Sequence, residues 1–275
     1  MTMPPLMSLD DVLELPCPEP GLRIAYGAEP SQFGYLRLPG GAGPHPVAIV
    51  VHGGCWRSQY DIEHIASFAD ALRTTGIATW SIEYRRVGDP GGGWPGTFLD
   101  VAAATDCLRL IAAEHKLDLA RVLTVGHSAG GQLALWLASR WKLARKSAIR
   151  GGPPLGLKGV VSLAAVDDLR RALAEGVCGD MAGRLIGGTP EAFPRRYAEA
   201  SPIELVPLGV RQHLVHGALD PIVPVAFARD FAAISARAGD DVTLTVLEDS
   251  GHFEPIAPTS RAWPSVRDAV LDMVW

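Results

Sequence analysis

The 275-residue chain has little charge, no closely spaced cysteines and no long apolar run. Charged residues make up 20% of it, below the usual ~25%. The net charge of −5 repels phosphate backbones and excludes a nucleic-acid partner. The one basic cluster, Arg140, Lys142, Arg145, Lys146 and Arg150, follows an apolar helical pattern and reads as a solvated helix end. The four cysteines (Cys17, Cys55, Cys107 and Cys178) include no CxxC pair. That spacing argues against a metal site and against a disulfide framework, and makes a reducing compartment the default. The N-terminus has neither a basic start nor a continuous apolar stretch, and no segment is long and apolar enough to span a bilayer. Together these absences predict a cytoplasmic protein without a membrane partner.

What the chain does hold is apolar mass. Residues of the hydrophobic class reach 48%, enough for a large buried core and incompatible with disorder. Thirty glycines and 22 prolines make about 19% of the chain, above the usual ~12%, with no collagen-like period. Short β-branched runs predict strands at Phe33–Leu38, Val47–His52, Ile77–Glu83, Val122–Gly126, Gly159–Leu163, Gln212–His216 and Val242–Leu247. Helical period falls between them at Ile62–Thr74, Thr97–His115, Ala129–Trp141, Val225–Ala238 and Ala262–Val274. The alternation predicts an α/β fold, a mostly parallel sheet flanked by helices. The whole chain reads as one such domain, 1–275. Residues 167–206 show no strand signal, only helical pieces broken at Gly187-Gly188-Thr189-Pro190 and Ser201-Pro202, which predicts a small helical cap inserted in it. In sheets of this kind ligands sit beyond the carboxyl ends of the strands.

Gly126-His127-Ser128-Ala129-Gly130 stands between an apolar strand and an apolar helix, matching G-x-S-x-G in the context a nucleophile elbow requires. A serine hydroxyl needs a histidine to take its proton, and that histidine needs a carboxylate to orient it. On such a fold the chain order is Ser, acid, His. Asp220 and His252 sit just past the next strand ends, which makes Ser128, Asp220 and His252 the candidate triad. Asp249 shares a loop with His252, Asp240 and Asp241 precede their strand, and His213 lies at the wrong end of its own. His216 reads as a satisfied histidine inside the sheet, and His45, His64 and His115 as lying away from this edge. The oxyanion formed on an attacked carbonyl needs backbone donors. Ala129, directly after the serine, is one candidate. Gly53, Gly54 and Cys55 in His52-Gly53-Gly54-Cys55-Trp56 are the others, with His52 bracing that loop. Trp56, Trp94, His127 and Phe253 are candidates for the walls of a substrate pocket. In the Val87–Gly96 loop, glycines would give freedom and Trp94 apolar surface.

With these motifs in view, the chain resembles the serine-hydrolase branch of the α/β-hydrolase superfamily over roughly Val47 to His252. The HGGxW form at 52–56 is similar to the oxyanion loop of kynurenine formamidases (arylformamidases) and related small esterases. Tyr84-Arg85, Asp100, Ser128-Ala129-Gly130-Gly131 and Ala200-Ser201-Pro202 are similar to the same group. A third glycine found in the hormone-sensitive-lipase branch is replaced here by Cys55. The resemblance implies the triad named above and neither metal nor organic cofactor. The expectation is a hydrolase of small carboxylic esters. The nearest alternative is an arylformamidase cleaving an aryl amide. A prolyl-oligopeptidase-type peptidase and a non-catalytic binding protein on the same fold are weaker rivals. The reading leaves a homodimer open.

Overall fold

The continuous apolar runs of the sequence become the middle of one sheet, where strands buried on both faces have no polar side to show. In the computed structural model, which describes residues 5–16 and 18–275, these are β3 (His45–Val51), β4 (Ala78–Ile82), β5 (Leu117–His127) and β6 (Gly159–Leu163). Around them lie β1 (Leu22–Ala25) and β2 (Phe33–Arg37) on one side, with β7 (Arg211–Gly217) and β8 (Val242–Leu247) on the other. The eight strands run in the order β1-β2-β4-β3-β5-β6-β7-β8. The β1–β2 and β2–β4 pairs are antiparallel and the rest parallel.

Period-two alternation sorts the side chains onto two faces. From β3, Val47, Ile49 and Val51 enter one apolar cluster while Ala48 and Val50 enter the other. The first cluster is closed by α3 (Gly96–Asp106), α5 (Ala129–Ser139) and α9 (Ala226–Arg237). The second is closed by α2 (Ala66–Arg73) and α10 (Trp263–Val274). Every residue of α5 is buried, since this helix lies between the sheet and the chain that crosses above it.

That crossing occupies the interval between β6 and β7. It contains α6 (Leu169–Glu175), α7 (Met181–Ile186), α8 (Pro194–Ala200) and a 3-10 turn over Pro202–Leu205. It is fastened to α5 by Gln132 Nε2 donating to the Ala200 carbonyl at 2.9 Å and Trp136 Nε1 donating to that of Glu199 at 3.0 Å.

Several sequence expectations need correction. The helix expected over Thr97–His115 breaks at Cys107 into α3 and a short α4 (Leu108–Ile111). Two elements were not foreseen: β1, and α1 (Leu9–Leu13) ahead of it. Arg140 is not part of a solvated basic end. It is 1% exposed, and its Nη2 donates to both carboxylate oxygens of Asp106 at 2.7 Å. The expectation of no disulfide is overturned as well, because Cys55 and Cys178 are joined across 123 residues. The inference of a reducing compartment loses that premise, since short-range spacing says nothing of cysteines that folding brings together. Cys17 lies outside the described residues. Among the described residues no helix is long and apolar enough to cross a membrane.

Candidate active site

β3 and β5 are neighbours at the point where the strand order turns, and Val51 pairs with Gly126. The chain segments leaving them, 52–56 and 127–130, therefore emerge side by side, in the crevice where α/β sheets take ligands. The turn after β5 puts Ser128 at φ 55°, ψ −121°, a strained conformation for a residue with a side chain. Closeness explains the flanking glycines. A Cβ at Gly126 would lie 2.1 Å from the Gly130 carbonyl oxygen, and one at Gly130 would lie 2.2 Å from that of Val51 and 2.3 Å from that of His52. The Ser128 N–H donates to Leu163 O at 2.8 Å, tying the turn to β6.

Asp220 and His252 are brought to the same edge by β7 and β8. Asp220 Oδ1 accepts the N–H groups of Ile222 and Val223, both at 2.8 Å. Its Oδ2 lies 2.7 Å from His252 Nδ1 and 3.3 Å from His216 Nε2. Burial works to raise the Asp220 carboxyl. Hydrogen bonds from His216 and His252, the charge of His252 and the Val223 amide outweigh it and hold the group well below the ordinary carboxylate range. An ionised carboxylate only accepts, so Nδ1 of His252 carries the hydrogen, and in the neutral ring Nε2 is then the acceptor. The His252 carbonyl in turn accepts from His127 Nε2 at 2.9 Å. Burial, and then repulsion from His252, push His127 well below the usual imidazole value, so it remains neutral.

Ser128 and His252 line one cavity of about 110 Å³ together with Gly54, Cys55, His127 and Phe253. Gly53 lies beneath it, where a Cβ would come 3.2 Å from Ser128 Cβ. Among the described residues no backbone carbonyl accepts from the N–H groups of Gly54, Cys55 or Ala129.

The 52–56 loop is braced from below. His52 Nε2 lies 3.0 Å from Glu83 Oε1 and its Nδ1 lies 3.0 Å from the Gly53 carbonyl. The Tyr84 hydroxyl donates to the His52 carbonyl at 2.8 Å. Glu83 also accepts the N–H groups of Tyr84 and Ile62, at 2.8 and 3.0 Å. Burial acts to raise this carboxyl too, but His52 and Arg86 prevail and lower it. On its outer side the loop is held by the Cys55–Cys178 disulfide, which joins it to the segment between α6 and α7.

Two pocket candidates are not at the cavity. Trp56 is fully buried in the first apolar cluster, with Nε1 donating to Gln132 Oε1 at 3.1 Å. It does not line the cavity. Trp94 lines a separate cavity of about 530 Å³ with Phe193 and Arg196, because its N–H is bonded to Leu185 O at 2.7 Å and draws the loop towards α7. His64, expected away from this edge, lines the cavity of Ser128 and His252. The 3-10 turn over Ile62–Ile65 carries it there. Burial, and after it repulsion from His52, push it down to about 3. Sequence reasoning also missed Leu9, Tyr60 and Ile222 on the cavity wall and Glu83 beneath the loop, while His216, read as a satisfied histidine inside the sheet, is buried in β7 with Nε2 2.8 Å from the Val223 carbonyl. Only Glu83 left a usable signal, a carboxylate at a strand end next to the Tyr84-Arg85 pair.

Comparison with known proteins agrees with this architecture. The BD-FAE family model matches residues 36–234. A versiconal hemiacetal acetate esterase of Dothistroma septosporum is 32% identical over 135 residues, which are 48% of this chain and 38% of that protein. The chain thus spans well under half the length of that curated relative. A truncated carbohydrate esterase from gut microbiota superposes with TM-score 0.79 at 20% identity, over 92% of this chain and 95% of that one. Esterase B of Lactobacillus rhamnosis does so with TM-score 0.75 at 18% identity, covering 91% and 82%. These structures have the α/β-hydrolase fold expected from the sequence.

Proposed function

The chain belongs to the BD-FAE family, and from that premise we propose that it is a serine hydrolase of small carboxylic esters. The observation that carries the reading is the 2.7 Å contact between His252 Nδ1 and the Asp220 carboxylate, in a cavity shared by His252 and Ser128. His252 Nε2 takes the Ser128 hydroxyl proton as Oγ bonds to the substrate carbonyl carbon. The N–H groups of Ala129 and of Gly54 or Cys55 hold the oxyanion. His252 then gives its proton to the departing alkoxide, leaving an acyl-serine. Water, deprotonated by the same nitrogen, releases the acid and restores Ser128. Asp220 stays ionised throughout and fixes the imidazole.

The cavity of about 110 Å³ is well below the roughly 300–1,000 Å³ of sites for drug-sized ligands, which favours acetyl and other short acyl groups. The fungal relative is named for an acetate ester, in keeping with this size. Ser128→Ala should abolish hydrolysis of p-nitrophenyl acetate and butyrate while leaving the fold unchanged by circular dichroism. Undiminished turnover would refute the proposal.

A further inference from the structure

The segment ahead of β1 reaches the catalytic cavity. Leu9, the first residue of α1, lines it together with Ser128 and His252. A helix of five residues has no stability of its own in water, so the way it is held matters. Ser8 fixes its start: the Ser8 hydroxyl accepts from the Asp11 N–H at 3.2 Å, and the Asp11 carboxylate accepts the Ser8 N–H at 2.7 Å. Val12, one turn beyond Leu9, is 4% exposed and belongs to the second apolar cluster, which also holds Ile62 and Ile65. Residues three apart share a helix face, so burying Val12 turns Leu9 inward.

Both ends of the segment are fastened. The Met7 N–H donates to Glu254 Oε1 at 2.7 Å, and the other oxygen of that carboxylate accepts the Gly251 N–H at 2.8 Å. Glu254 is buried and thus joins the segment to the loop that carries His252. At the far end, the Ser67 hydroxyl donates to the Pro16 carbonyl.

We infer that residues 7–16 form a strap in which Leu9 sets substrate size, by closing the apolar side of the cavity that Ile222 and Phe253 also line. The inference rests on the ester-hydrolase reading and adds to it a specificity-determining residue. Shortening Leu9 opens room for a longer acyl chain; enlarging it takes room away.

The experiment compares kcat/KM for p-nitrophenyl acetate and hexanoate in the wild type, Leu9→Ala, Leu9→Phe and Leu13→Ala. Methylene-scale changes in an apolar pocket shift such ratios by about tenfold. The hexanoate-to-acetate ratio should rise by that order in Leu9→Ala and fall in Leu9→Phe. Leu13, on the same helix but 56% exposed, should leave it at the wild-type value. An unmoved ratio in both Leu9 variants, or an equal shift in Leu13→Ala, overturns the strap while leaving the hydrolase intact. Absence of wild-type turnover on either ester overturns the hydrolase reading and the strap with it.

Discussion

Removing the Cys55–Cys178 bond tests how the 52–56 loop is held. The bond closes a loop of 123 residues, and chain-entropy reasoning assigns a cross-link of that span about 5 kcal/mol at 25 °C. Domains are stable by only about 5–15 kcal/mol, so the loss should be large and easily measured. Activity should fall separately. Gly54, Cys55 and Trp56 hold φ of 96°, 51° and 55°, and Cys178 holds 61°, so three of these four residues carry a side chain in left-handed backbone. Freed of the cross-link, the loop can relax towards ordinary backbone and withdraw its N–H groups from Ser128. The assay is urea unfolding at 25 °C of the oxidised protein, the reduced protein and the Cys55→Ser/Cys178→Ser variant, with kcat measured well below the transition. Reduced and doubly substituted proteins should agree with each other, both less stable by about 2–5 kcal/mol and both slower. A stability unchanged on reduction would refute the reasoning, as would a reduced enzyme with full kcat.

Three further outcomes follow from the geometry. Gly130→Ala places a methyl group against the carbonyls of Val51 and His52 and should cost about 3 kcal/mol in urea unfolding; a neutral result would mean that the turn does not pack as described. Asp220→Asn should lower kcat by about 10⁴-fold with little change in KM, whereas a loss of only a few-fold would assign the orienting role to another group. His64, neutral in the fold down to about pH 3, takes up a proton in the unfolded chain below about pH 6.5. Its contribution to stability is complete above that value and is lost as pH falls, at about 1.4 kcal/mol per unit. Urea midpoints measured from pH 7 downwards should show this slope, and His64→Gln should reduce it; an equal slope in the variant would contradict the assignment.

The parts legible in the sequence are those where one local cause decides the outcome. Strands β3 to β6 announce themselves because burial on both faces demands unbroken apolar runs, and the elbow does so because its glycines answer a clash within five residues. β1 was invisible for the opposite reason. Leu22, Arg23 and Ala25 are exposed, so its pairing with β2 leaves no periodic trace. The cysteines gave no sign of pairing because their partnership is made by the fold, when the chain between β6 and β7 descends onto the 52–56 loop. Trp56 and Trp94 were expected at the pocket wall and lie elsewhere, since a tryptophan serves equally as core filler or as pocket wall until its neighbours are known. Leu9 lay in a segment with one buried residue per turn of helix, too short for any period to register.

The carboxylate of Glu254 ties Met7 to the loop of His252 across 247 positions, and this sets an order of events on the assembling chain. The elbow with Ser128 can form once β3, β5 and β6 are paired, but neither Asp220 nor His252 is beside it until β7 and β8 add to the sheet. Only then does Glu254 exist in place to receive the strap. Contacts of such long sequence separation are the last to become favourable during folding. A chain stalled halfway thus carries the strained turn at Ser128 without Asp220 and His252 beside it, and on the proposed mechanism hydrolysis would require everything from the 7–16 segment to β8 in place.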